Sequence, residues 1–204
     1  MPRPLDLKRR AEIADEAFQA IQLRGVHRVT MSSVADALGM KRTALYHYFP
    51  NLGAICLCVL DNLQQDIRQY VTHRMAQHRH PIDQLDALLN SAIEFYATRR
   101  NELIAFFQLW AISNAGNNDP VTDRERDFLE PQRHFLIALV QNGIERGYIA
   151  NCDAAGLIDL LLTLVDGAHV HRVTRNPDLS NLTTFFRNHV LNPLRLSPAS
   201  KDAS

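Results

Sequence analysis

Apolar residues at steps of three and four recur along almost the whole chain, whereas stretches that alternate with period two are hard to find. That spacing lays one apolar stripe along a helix and makes no sense on a strand, so the expected fold class is all-α. From Leu7 to Arg24 the residues Ile13, Ala14, Ala17, Phe18 and Ile21 share a face, and Gly25 follows as a candidate C-terminal cap. Two short helices are expected from about Met31 to Leu38 and from Arg42 to Tyr48, separated only by Gly39, Met40 and Lys41, then a long one from about Leu52 to Met75. Pro81, the run Asn114 to Pro120, Pro131, Gly147 and Asn176-Pro177 punctuate the remainder. They divide it into helices near Ile82 to Thr98, Glu102 to Ser113, Val121 to Glu130, Gln132 to Glu145, Ala154 to Val173 and Leu182 to Asn192.

With 204 residues, 46% of them hydrophobic, the chain can bury a substantial core, and a disordered chain is excluded. Twenty-two Lys and Arg balance 22 Asp and Glu, which excludes a uniformly basic nucleic-acid coat. The charge is nevertheless uneven: residues 1–60 carry a net +3 and the rest a net −3. Any attraction for a polyanion is therefore local to the N-terminal end. Three cysteines make no disulfide framework, so a reducing, cytoplasmic setting is expected, with no signal peptide and no membrane span.

The informative stretch is Thr30-Met-Ser-Ser-Val-Ala-Asp-Ala-Leu-Gly-Met-Lys-Arg-Thr-Ala-Leu-Tyr-His-Tyr-Phe49. Val34, Leu38, Met40, Leu45 and Tyr48 fit two short helices crossing steeply over a shared core. Ala35 is small enough for close approach, Gly39 is free to take a positive φ in the turn, and Thr30 is positioned to cap the first helix. The second helix would expose Arg42, Thr43, Ala44, Tyr46 and His47 at its N-terminal end, the end that enters the major groove in a helix-turn-helix. Arg42 offers a fork of donors, Thr43 a hydroxyl and a methyl, and Tyr46 a hydroxyl on a stiff ring. Any steeply crossing helix pair in an all-α protein shows the same spacing, so spacing alone leaves a purely structural pair open.

Gly39-Met-Lys-Arg-Thr-Ala-Leu-Tyr-His-Tyr-Phe49, with Thr30 and Val34-Ala35 before it, resembles the DNA-binding domain of tetracycline-repressor-type regulators, and the Leu-Tyr-x-Tyr-Phe ending is the specific part. The resemblance implies a three-helix head (1–51), a ligand-binding and dimerisation body (52–196) and a short tail (197–204). It further implies a homodimer on a palindromic stretch of double-stranded DNA, released by a small apolar or aromatic effector, with no cofactor and no catalytic residue. On the matching positions, Thr43, Ala44, Tyr46 and His47 would face bases or nearby phosphates, and Thr30, Ser32, Arg42 and Tyr48 would hold the backbone. Two positions depart from the family pattern. Lys41 stands where a small polar cap is common, adding a cation near the turn, and Leu52 stands where Lys is frequent.

For the body, Phe95, Tyr96, Phe106, Phe107 and Trp110 supply apolar bulk for a pocket and His134 a polar point, although aromatics at helical spacing serve equally as plain core. The segment Leu157 to Ala168 is apolar around most of its circumference. Leu157, Leu161, Leu164 and Ala168, together with Leu182, Phe185, Phe186 and His189, are expected at a two-fold interface; the alternative is the central helix of a monomeric bundle. Residues two apart on a helix point to different faces, so neither His169 with His171 nor Cys56 with Cys58 makes a metal site, and none is expected. No G-x-x-x-x-G-K-[ST], G-x-S-x-G or H-E-x-x-H is present. A helical enzyme built from scattered residues, or an adaptor using the helix-turn-helix for protein contacts, are the competing classes.

Overall fold

The computed structural model describes residues 6–24, 29–104, 107, 120–175 and 178–197. Gly25, the turn at 114–119, Asn176-Pro177, Phe106, Trp110 and the tail beyond 197 lie outside them. Eight α-helices carry the described chain: α1 (Leu7–Arg24), α2 (Met31–Ala37), α3 (Arg42–Tyr48), α4 (Leu52–Ala76), α5 (Pro81–Phe95), α6 (Pro120–Glu145), α7 (Ala154–Thr174) and α8 (Ser180–Phe186). Residues 100–104 add a helical turn, and α8 runs into a π turn (Arg187–Leu191) and a 3-10 turn (Asn192–Leu194). The fold is all-α; Ile149 and Arg195 form an isolated antiparallel bridge and no strand is present among the described residues.

Two elements differ from the sequence expectation. Helices expected on either side of Pro131 are one helix, α6, with Pro131 inside it. The ring lacks one N–H, but its fixed φ is helical, and Pro131 sits on the exposed face where water can serve the carbonyl that loses its donor. The last helix starts at Ser180, and past Phe186 its α pattern widens to the π turn rather than continuing to Asn192.

Helix boundaries follow from capping chemistry. At α5 the His80 ring caps the first turn, Pro81 occupies the first helical position with its φ preset, and Asp83 lies in the positive first turn. At α7 the Asp153 carboxylate accepts from the Gly156 amide at 3.1 Å. The other end of α7 is closed from a distance, because Arg100 donates to the carbonyls of Arg172 at 3.2 Å and Val173 at 2.7 Å.

The described chain gathers into two compact units, one built on Met1–Asp66 with Ile104–Thr122 and one on Ile67–Leu103 with Asp123–Ser204. In the first, Ile13, Ala14 and Phe18 of α1, Val34 and Ala35 of α2, Leu45 of α3, Phe49, and Ile55 and Cys58 of α4 form a continuous core. In the second, Ile82, Leu85 and Leu89 of α5, Leu136 and Val140 of α6, Ile158, Leu161 and Val165 of α7, Phe186 and Leu191 form another. Helix α7 is long and apolar enough to cross a membrane by length and composition. Core helices pass the same test, and here Leu157, Ile158, Leu161, Val165 and Ala168 are buried against the second unit's own core.

Candidate nucleic-acid interface

The Thr30 hydroxyl accepts from the Ser33 amide at 3.2 Å while the Ser33 hydroxyl accepts from the Thr30 amide at 3.0 Å. This reciprocal capping box fixes where α2 begins. The turn out of α2 is made by Gly39 at φ 61°, a left-handed conformation that a side chain resists, with the Met40 amide bonding back to the Ala35 carbonyl at 2.9 Å. Lys41 then occupies the N-cap of α3 without a side-chain cap, as its residue type predicts.

Leu45 and Phe49 are fully buried and Ala35 is as well, so the two helices meet over the expected core. With Leu45 turned inward, helical geometry turns Tyr46 outward, and Tyr46 is 52% exposed. Lys41, Arg42, Thr43 and His47 are exposed, Ala44 and Tyr48 half-buried, and the His47 ring stands edge-on to Tyr48 with centroids 5.3 Å apart. Thr30 is exposed and Ser32 half-buried. The eight residues named for DNA contact, and Lys41 beside the turn, thus lie on α3, at its N-cap or at the start of α2 with a solvent-accessible surface.

The structure also sorts the basic residues of the first unit. Arg9 is engaged with Glu12 at 3.0 Å and Glu16 at 3.5 Å, a surface arrangement that largely cancels its field. Arg10 lies over the Phe49 ring, 4.7 Å from its centroid, and donates to the Cys58 sulfur at 3.3 Å. Lys41 and Arg42 make no ion pair among the described residues, and they stand exposed at the N-terminal end of α3. Sequence reasoning missed the part Arg10 plays, because its partners are 39 and 48 residues away and no local pattern marks them.

In the second unit Tyr70, Phe95, Tyr96 and His169 form a row of rings with centroids 5.7, 5.1 and 4.6 Å apart in turn, and the Arg99 guanidinium covers Phe95 at 4.1 Å. Phe95 and Tyr96 are buried in this row, Phe107 is half-buried, and His134 is exposed on α6. His169 donates to the Ala92 carbonyl at 3.3 Å, and burial drives its pKa down to about 4, against a smaller upward pull from that hydrogen bond. A shallow cleft of about 230 Å³ is polar and is lined by other residues, among them Arg74, His78, Asp86, Asn90 and Arg187.

Of the residues named for a two-fold interface, Leu157, Leu161, Ala168 and Phe186 are packed in the second unit's own core. Leu164 and Leu182 are half-buried, and Phe185 and His189 face solvent with their rings 4.4 Å apart. The large apolar side chains that are open on the same helices are Leu160, Val170 and Phe185, the first two of which the sequence did not single out. Among the described residues no three His, Cys, Asp or Glu side chains come together as a metal site.

Comparison with known proteins gives concordant results. The model of the bacterial regulatory proteins of the tetR family matches residues 13–54, which span α1 to the start of α4. The chain is 27% identical over 207 aligned positions to the HTH-type transcriptional regulator TtgR of Pseudomonas putida, covering 93% of each sequence. Among solved structures, a TetR transcription regulator from Haloarcula marismortui superposes with a TM-score of 0.77 at 20% identity, covering 92% of this chain and 99% of that one. The regulator FadR from Bacillus subtilis, in complex with stearoyl-CoA, gives 0.68 at 16% identity, covering 90% and 98%.

Proposed function

We propose that this chain, a DNA-binding transcriptional regulator of the tetR family of bacterial regulatory proteins, is a ligand-responsive repressor binding a palindromic operator as a homodimer in the cytoplasm. The observation that carries the reading is the face of α3. Arg42, Thr43, Tyr46 and His47 stand outward on a helix whose inward side is sealed by Leu45 with Phe49 at its end. On this reading the head is residues 1–51, the body 52–196 and the tail 197–204. Thr43, Ala44, Tyr46 and His47 reach base edges or adjacent phosphates, while Thr30, Ser32, Lys41, Arg42 and Tyr48 hold the backbone.

The body contributes two further functions. Leu160, Val170 and Phe185 offer apolar surface for the second copy, supported from beneath by Leu157, Leu161, Ala168 and Phe186, with Leu164, Leu182 and His189 at the margin. The effector is an apolar or aromatic small molecule, and within the second unit the row of rings at Phe95 and Tyr96, with His134 on α6, supplies the candidate contacts. The stearoyl-CoA held by the FadR neighbour supports a long apolar molecule as the first class to test.

Substitutions on α3 separate readout from backbone attraction. Tyr46→Ala should weaken binding to the selected operator about tenfold or more and leave random DNA nearly unaffected. Arg42→Ala should weaken both alike and reduce the slope of log affinity against log salt by about one. Gel-shift titrations at several salt concentrations read both effects. If neither substitution changes affinity or slope, α3 is not the reading helix.

A further inference from the structure

After the π turn the chain does not leave the second unit. Residues 192–197 return as a strap across the junction between α6 and α7. The Ala150 amide donates to the Leu194 carbonyl at 2.8 Å, the Leu196 amide donates to the Tyr148 carbonyl at 2.9 Å, and Ile149 bridges Arg195. Arg195 also pairs with Asp83 in the first turn of α5. One side chain ties these pieces together. The His80 ring accepts from the Ile82 amide through Nδ1 at 3.2 Å, lies with its Nε2 3.0 Å from the Leu196 carbonyl oxygen, and stands edge-on to Tyr148 at 5.6 Å.

Made together, the two contacts fit a single protonation state. A backbone N–H only donates, so Nδ1 must carry a lone pair; a carbonyl only accepts, so Nε2 must carry the hydrogen. The neutral Nε2–H tautomer satisfies both partners, and the imidazolium satisfies only the strap side while setting a second N–H against the Ile82 amide and a positive charge at the N-terminus of α5. The charged groups around the ring do not compensate. Asp83 on α5 is engaged by Arg195 of the strap, Arg146 covers Tyr148 at 5.5 Å, and Arg79 precedes the ring in the chain with His78 before it.

We propose that His80 is a proton-operated latch on the C-terminal strap, closed when the ring is neutral and released when a second proton turns the ring out of its cap position. The strap reports its own state through the amides of Ala150 and Leu196, which are protected only while it is docked.

Hydrogen exchange on the full chain at pH 7.5 and pH 5, corrected for the intrinsic pH dependence of exchange, tests this. Protection of Ala150 and Leu196 should fall about fivefold between the two conditions, the effect of losing one hydrogen bond of capping strength. His80→Asn keeps an acceptor for the Ile82 amide and so keeps α5 capped, but its shorter side chain does not span to Leu196. In that variant the two amides should already be deprotected at pH 7.5, with a smaller further change at pH 5 than in the unsubstituted chain. The 15N signals of the His80 ring give a second reading that needs no variant, and they should show the Nε2–H tautomer at pH 7.5. Protection unchanged with pH in the unsubstituted chain, the same pH response in His80→Asn, or an Nδ1–H tautomer would each overturn the latch.

Discussion

Phe49→Ala should destabilise the first unit by about 3–5 kcal/mol and abolish DNA binding with it. The ring is fully buried at the end of α3, in the core formed with Ile13, Phe18, Val34, Leu45 and Ile55. It is also the platform for Arg10, whose guanidinium lies 4.7 Å from the ring centroid and holds Cys58 of α4 at the same time. Removing the ring leaves a cavity and takes the face away from a part-buried cation, two costs that act in the same direction. Phe49→Leu keeps much of the volume without the π face and should cost roughly 1–2 kcal/mol. Urea unfolding followed at amides of α1 to α3 measures both, through a lower midpoint at unchanged slope. A cost for Phe49→Ala below about 1 kcal/mol would remove Phe49 from its place as the central packing residue of the head.

Acid should weaken the second unit through His169. Its folded pKa of about 4, lowered first by burial and further by Arg172 nearby, lies below the ordinary imidazole value, so the folded state holds the neutral ring. The sign follows from linkage. The contribution is complete above the unfolded pKa near 6.5 and is lost as pH falls from there towards 4, because the unfolded chain takes up the proton first. For a displacement of this size the loss is about 3 kcal/mol over the window, more than half of it already incurred by pH 5. His169→Gln retains a donor for the Ala92 carbonyl and cannot titrate, so its stability should be flatter with pH by that amount in paired urea titrations. Parallel curves for the two proteins would contradict the assignment of His169 as a buried neutral group.

The head was legible in the sequence because its determinants are local. Ala35, Gly39, Leu45 and Phe49 lie within fifteen residues, and each has one conformation or one degree of burial that suits its side chain. Thr30 announced its capping role by type, though its partner Ser33 did not. What the sequence hid is long-range. Arg10 on Phe49 and Cys58, Arg100 on the end of α7, and His80 on the returning strap all join residues tens of positions apart through polar atoms that leave no period. His169 drew notice only as half of a metal pair, whereas the structure places it under Tyr96. The apolar residues of α7 show the converse limit. Hydrophobic spacing marks Leu157, Leu161 and Ala168 as buried without saying whether the chain itself or a second copy covers them, and here the chain covers them. Pro131 was overread as a break, since a proline on an exposed helix face costs one hydrogen bond that water can replace.

The central claim is that α3 reads DNA from two copies held in symmetric register. Selection of bound fragments from random DNA, followed by measurement of the protein-to-DNA ratio on the enriched sequence, tests it most directly. An inverted repeat with half-sites about one helical turn apart, or a multiple of it, occupied by an even number of chains and lost on re-selection with Tyr46→Ala, is the predicted result. No enriched sequence, or a single asymmetric site occupied by one chain and unaffected by that substitution, would contradict it.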